Sequence, residues 1–232
     1  MSGTLFYLIG ASGSGKDSLL AGCRQQLTPE QRCCVAHRYI TRAPGIGGEN
    51  HVHLSEQEFS MRERMGMFAM NWYSHGYHYG IGSEINGWLD AGANVIINGS
   101  REYLSQAIEQ YEELVPVLVE VDAELLRDRL TNRGRETAEE IERRLQRHQQ
   151  LVDSLPDSVC RVDNSGELQQ GIDGLLNLIE RHGWQGGIAL DLSLAERPTV
   201  RMNTQVAGQS GQPVIRTGQS TVVTANFGTD DK

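Results

Sequence analysis

Gly10-Ala11-Ser12-Gly13-Ser14-Gly15-Lys16-Asp17-Ser18 is the stretch that decides how this chain folds. It follows the apolar run Leu5-Phe6-Tyr7-Leu8-Ile9 and leads into a segment, up to Leu27, with apolar residues at helical spacing. The glycines therefore sit between a strand and a helix, the context this pattern requires. There they let backbone N–H groups turn inward around phosphate oxygens, the helix start adds its positive end, and Lys16 reaches the outer phosphates. Gly10 to Ser18 reads as the loop of a nucleoside triphosphate site. A plain glycine-rich turn would give no reason for a lysine at that one position.

Asp17 breaks the usual pattern. Phosphate-binding loops place Ser or Thr after the lysine, and that hydroxyl binds Mg²⁺. Ser18 is no substitute, because one helical step turns it about 100° away. A carboxylate beside a triphosphate is repulsive unless a cation lies between them, so Asp17 is expected to meet Mg²⁺, directly or through water. The competing reading is an acid favoured in the first turn of a helix by the macrodipole.

The 232 residues are enough for one good core, or for one core plus an appendage. A net charge of -9 argues against nucleic acid as a partner, although arginines concentrate between Arg127 and Arg147. Cys23, Cys33, Cys34 and Cys160 match neither a disulfide framework nor a zinc pattern, which suits reduced thiols. The opening apolar run is too short for a signal segment and no stretch nears the length of a membrane span. A cytoplasmic protein with no membrane partner is expected, with a homodimer left open.

Up to about Trp184 the chain alternates strand-like and helix-like segments. Apolar runs at Leu5–Ile9, Val95–Ile97, Val115–Val121 and, more weakly, Val159–Val162 predict strands. Helices are predicted from Ser55 to Arg64, Glu84 to Ala91, Glu102 to Glu112, Ala123 to Asn132, Ala138 to Val152 and Glu167 to His182. This alternation means an α/β fold with a mainly parallel sheet covered on both faces, and a ligand site at the strand carboxyl ends. Residues 1–185 are read as one P-loop domain. Residues 186–232 turn rich in Gly, Gln, Ser and Thr and are read as an appended, flexible tail, with a late hairpin through Val214-Ile215 and Val222-Val223 as the alternative.

Three further constellations bear on chemistry. His37-Arg38-Tyr39-Ile40-Thr41-Arg42-Ala43-Pro44, then Gly47-Gly48-Glu49-Asn50-His51, sets two arginines four apart near glycines, as in a loop that receives an anion. Arg127 to Leu145 places several arginines on two helices hinged at Gly134, as a lid over phosphates would be; surface i,i+4 ion pairs are the alternative. Trp72 to Gly82 is a polar-aromatic, glycine-rich stretch suited to a small polar substrate.

Together the phosphate loop, Thr41-Arg42 with Gly48-Glu49, Tyr79-Gly80, Arg133-Gly134 and Arg144-Leu145 resemble the guanylate-kinase-like branch of the P-loop kinases, over roughly Thr4 to Ile179. That branch implies a three-layer fold with a helical lid, and transfer of the ATP γ-phosphoryl group to a phosphate on the acceptor. The departures narrow it. Arg38 stands where the branch has a guanine-reading serine, Ile81 where it has Thr, and Asn98 and Ser100 where it has two aspartates. No Asp or Glu occurs between Glu63 and Glu84 to replace its purine-reading glutamate. A site without base-reading groups loses discrimination for the base, while Arg38 adds a cation suited to a second phosphate.

With Val95-Ile96-Ile97-Asn98-Gly99-Ser100-Arg101, this combination is similar to the ribose 1,5-bisphosphate phosphokinases of phosphonate degradation. The resemblance implies ATP-dependent conversion of ribose 1,5-bisphosphate to 5-phosphoribosyl 1-diphosphate (PRPP), with ADP released. It implies that the loop from Gly10 to Ser18 binds ATP with Mg²⁺ near Asp17, and that Lys16, Arg133 and Arg144 serve the transfer. Arg38 and Arg42 would hold acceptor phosphates, with His51, Tyr79, Asn98, Ser100 and Arg101 also facing the substrate. An accepting phosphate is already ionised, so none of His37, His51, His75 or His78 is expected to act as a general base. A guanylate-like nucleoside monophosphate kinase and a non-catalytic interaction module are the competing readings.

Overall fold

The strand that leads into the phosphate loop, β1 (Leu5–Ile9), is buried along its whole length. Its side chains alternate between two cores: Phe6 and Leu8 join one, while Leu5, Tyr7 and Ile9 join the other. A strand buried on both faces belongs at the centre of a parallel sheet. In the computed structural model, which describes residues 2–45, 49–134, 136–155, 159–183, 215–216 and 222–223, β1 takes that place. It pairs in parallel with β7 (Asn94–Asn98) on one side and β8 (Leu114–Glu120) on the other. The sheet is completed by β2 (Cys33–Val35) beside β7 and β9 (Cys160–Asp163) beside β8, all parallel.

Helices cover both faces. On one, α1 (Lys16–Gln26) and α7 (Leu168–His182) bury Leu19, Leu20, Cys23, Ile172, Leu175 and Ile179 against Phe6, Leu8, Val117 and Val119. On the other, α3 (Glu84–Asp90) and α4 (Leu104–Gln110) supply Ile85, Leu89, Leu104 and Ala107. The helix predicted from Glu102 begins later than expected, because Arg101–Tyr103 forms a 3₁₀ turn ahead of α4.

A second sheet, not foreseen from the sequence, has the order β4-β3-β6-β5. Here β3 (Arg38–Ile40) runs parallel to β4 (Val52–His53) and antiparallel to β6 (Tyr77–Gly82), which pairs with β5 (Phe68–Ser74). The stretch Trp72 to Gly82 is thus a β-hairpin. Its two-residue loop, His75-Gly76, has positive φ at both positions (50° and 81°), the type I′ geometry that matches strand twist. Before it, α2 (Glu56–Arg64) is capped by Ser55, whose hydroxyl accepts from the Glu58 N–H at 3.1 Å.

The paired helices α5 (Ala123–Arg133) and α6 (Ala138–Ser154) meet at Gly134, which is left-handed. Asp122 caps the first, and Thr137 with Glu140 forms a capping box on the second. Leu126, Leu130, Ile141 and Leu145 close a third apolar cluster onto Ala11 of the phosphate loop and Val121 at the end of β8. Residues up to Gly186 form one unit. In the remainder, Ile215–Arg216 and Val222–Val223 pair antiparallel; the expected flexibility of the tail otherwise falls outside the described residues. Among the described residues no helix is long and apolar enough to cross a membrane.

Candidate active site

The loop between β1 and α1 is fixed from behind. Asn164, buried at the end of β9, donates from Nδ2 to the Ser14 carbonyl at 2.7 Å, and Arg129 on α5 donates to the Asn164 carbonyl at 3.0 Å. Gly15 is obligatory here: its φ is 88°, and a Cβ would lie 2.3 Å from Asn164 Nδ2. Lys16 Nζ donates to the carbonyls of Gly10 and Ala11, both at 2.8 Å. Burial lowers its pKa from 10.5 to about 8, with Asp17 pulling it back up. Gly10, Ala11, Ser12, Gly13, Gly15, Lys16, Asp17 and Ser18 all border a cavity of about 750 Å³. Ser14 does not; it is fully buried.

Asp17 faces into the same cavity and accepts from Asn98 Nδ2 at 2.8 Å. Burial raises its pKa, and the nearby Glu49 charge adds to that. Asn98 Oδ1 is buried with no hydrogen-bond partner. A carboxylate oxygen and an orphaned amide oxygen are hard donors, and they fit Mg²⁺, which takes one or two protein oxygens and completes its shell with phosphates and water. Among the described residues no cluster of three or more His, Cys, Asp or Glu could hold a metal without such help.

Opposite the loop stands a clamp that only the fold assembles. Glu49, with 8% of its side chain exposed, accepts from Arg38 through both Nε and Nη2 (2.7 Å for the latter) and from Arg42 Nη2 at 2.9 Å. Burial pushes the Glu49 carboxyl up, but the two guanidiniums more than offset this and hold its pKa below the ordinary value. Arg38 also lies over the Tyr79 ring at 5.1 Å, and Tyr79 stacks on Trp72. Arg42 Nε is buried and has no hydrogen-bond partner.

His51 is placed differently from its expected role. It does not border the cavity; its ring nitrogens lie 3.0 Å from the carbonyl oxygens of Glu49 and Arg42, so it fixes the clamp's backbone. Asn98, Ser100 and Arg101 do border the cavity, as does Tyr79. Ser100 is held through its backbone, its carbonyl accepting from the Tyr7 hydroxyl at 2.8 Å.

From the other side, Arg133 and Arg144 reach the cavity and share Glu136, at 3.4 and 3.1 Å. Arg143 and Arg147 join them, whereas Arg135, Gly47 and Gly48 lie outside the described residues. Eight Lys and Arg side chains line the cavity against four carboxylates. In a chain of net charge -9 this is a local field built for polyanions.

Most of this lining is legible in the sequence; its supports are not. Glu49 was visible only as part of a motif, Asn164 carried no signal beyond ending a strand, and Arg143 and Arg147 were legible only as members of an arginine-rich run.

No protein-family model matches the chain. It is, however, 51% identical over 175 residues to the ribose 1,5-bisphosphate phosphokinase PhnN of Desulfomicrobium baculatum, covering 75% of this chain and 93% of that one. The chain belongs to the ribose 1,5-bisphosphate phosphokinase family. Members from Psychromonas ingrahamii and Enterobacter lignolyticus are 49% and 47% identical, covering 76% and 79% of this chain and 90% and 95% of theirs. Among solved structures, guanylate kinase from Anaplasma phagocytophilum superimposes with a TM-score of 0.56 at 15% identity, over 78% of this chain and 86% of that one. That likeness shows that this chain has a guanylate-kinase-like α/β fold.

Proposed function

We propose that this chain transfers the γ-phosphoryl group of ATP to the C1 phosphate of ribose 1,5-bisphosphate, giving ADP and PRPP. Its family membership supports the substrate pair, and one observation carries the chemistry: the Arg38–Glu49–Arg42 clamp and the phosphate loop border the same cation-lined cavity. Two polyanions must be brought together, and positioned cations answer that obstacle.

An oxygen of the C1 phosphate attacks the γ-phosphorus while the bond to the β–γ bridging oxygen breaks, leaving ADP. The attacking oxygen is already ionised, so no side chain has to remove a proton. Lys16 and the loop amides hold the β- and γ-phosphates. Arg42, kept in place by Glu49 and Arg38, meets the accepting phosphate, with Tyr79, Asn98 and Ser100 facing the sugar and His51 setting the loop behind the clamp. Arg133 and Arg144 close over the phosphoryl group in transit, which excludes water and limits wasteful hydrolysis of ATP. Asp17 and Asn98 are the residues that would hold Mg²⁺, which neutralises phosphate charge when bound.

The test is ³¹P NMR of the purified protein with Mg-ATP, given ribose 1,5-bisphosphate in one sample and GMP in another. A new diphosphate on C1 of the sugar with little GDP is expected. GDP formed alone would replace this reading with a nucleotide kinase, and no transfer to either would replace it with a binding module.

A further inference from the structure

The cations around the cavity fall into two groups. Arg38 and Arg42 are committed to Glu49, Arg133 and Arg144 to Glu136, Lys16 to the carbonyls of Gly10 and Ala11, and Arg143 Nε to the Glu139 carbonyl. Arg101 and Arg147 border the same cavity, yet among the described residues neither guanidinium has a carboxylate or hydrogen-bond partner. Their charge and their donors are wholly unspent. An arginine fork in that condition is the preferred receiver of a phosphate, because it can give two parallel hydrogen bonds without first breaking an ion pair.

Both border the one cavity, Arg101 from the end of β7 and Arg147 from α6. Arg101 opens the 3₁₀ turn just beyond β7, close enough for its charge to be felt by Lys16 and by His148. His148 is the residue after Arg147 and is buried, which fixes that turn of α6 against the body of the protein. The Arg38–Glu49–Arg42 clamp is a single ion-paired unit, assigned above to the phosphate that accepts the γ-phosphoryl group. A second phosphate on the same small sugar needs cations of its own.

Resting on the reading of the acceptor as a sugar bisphosphate, we infer that Arg101 and Arg147 form the subsite for the phosphate the reaction leaves untouched, and so select bisphosphates over monophosphates.

The experiment uses the full chain and its Arg147→Gln, Arg147→Lys and Arg101→Gln variants. It measures KM for ribose 1,5-bisphosphate, KM for ATP, and inhibition by ribose 1-phosphate, which lacks the second phosphate. Arg147→Gln and Arg101→Gln are expected to raise KM for the bisphosphate about tenfold. KM for ATP and the inhibition constant of the monophosphate should move less than twofold, and Arg147→Lys should recover part of the loss. A parallel rise in KM for ATP would overturn the assignment in favour of a nucleotide contact. Equal losses for bisphosphate and monophosphate would overturn it too, by moving the effect to the transferred end. Unchanged constants would leave both arginines as a solvated rim and end the proposal. If the wild-type chain fails to turn over the bisphosphate at all, the function itself is misread, an outcome the wild-type control separates from the others.

Discussion

Asn98 holds Asp17 through a 2.8 Å hydrogen bond from its Nδ2, which leaves the Asn98 Oδ1 buried and without a partner beside a carboxylate. The pair joins two different elements at the cavity's edge, the start of α1 and the end of β7. If they hold Mg²⁺, Asp17→Asn should raise the Mg²⁺ concentration needed for half-maximal turnover by about tenfold, the loss of one charged ligand. An unchanged Mg²⁺ titration would reduce Asp17 to an acid that suits the first turn of a helix.

Glu49 joins two arginines in a site where its own side chain is almost wholly covered. Glu49→Gln should cost about 3–5 kcal/mol of stability, because it leaves two guanidiniums facing each other without their carboxylate. In the protein that still folds, KM for the sugar phosphate should rise far more than KM for ATP, and Arg38→Ala should show the same bias. Equal effects on both substrates would remove the clamp from the acceptor side.

Lys16 combines function with a folding cost. Lys16→Met is expected to abolish nearly all turnover while the far-UV circular dichroism stays that of the wild type; retained activity would remove the loop from catalysis. The pH dependence of stability supplies an independent check. With a folded pKa of about 8 against 10.5 unfolded, the unfolded chain holds more protons between those values. Stability of the unliganded protein should therefore climb as pH rises from 8 toward 10.5 and stay at its penalised level below 8. Denaturant midpoints across that range should climb for the wild type, and the climb due to this group should vanish in Lys16→Met.

Asn164 touches no ligand surface, yet its Nδ2 supports the Ser14 carbonyl in the loop's bend. Asn164→Asp would turn a donor into an acceptor against that carbonyl. A stability loss of about 1–3 kcal/mol is expected, with a raised KM for ATP and little change for the sugar phosphate. Thermal melts and paired KM measurements test this; a higher KM for the sugar alone would contradict it.

How far the sequence could be read depended on the range of the interaction. The phosphate loop, α1, β1 and the two lid helices announce themselves through local patterns: glycine spacing, a five-residue apolar run, an arginine-rich stretch broken at Gly134. The second sheet gave no such notice. Its strands β3 and β4 are only three and two residues long, and the β5–β6 hairpin mixes apolar, aromatic and polar side chains without regular alternation, so periodicity had too little to work on. The clamp shows the same limit. Arg38 and Arg42 were legible as anion receivers, but that Glu49 neutralises them depends on the chain folding back across seven or more residues. His51 kept its place in the motif while its ring turned to the backbone, because two carbonyl oxygens lay within reach on either side.

Ala11 belongs at once to the loop that would cradle phosphates and to the apolar seam that seats α5 and α6. One methyl group thus has a neighbour on each side, so a change of volume at Ala11 disturbs the nucleotide cradle and the seating of the arginine-bearing helices together.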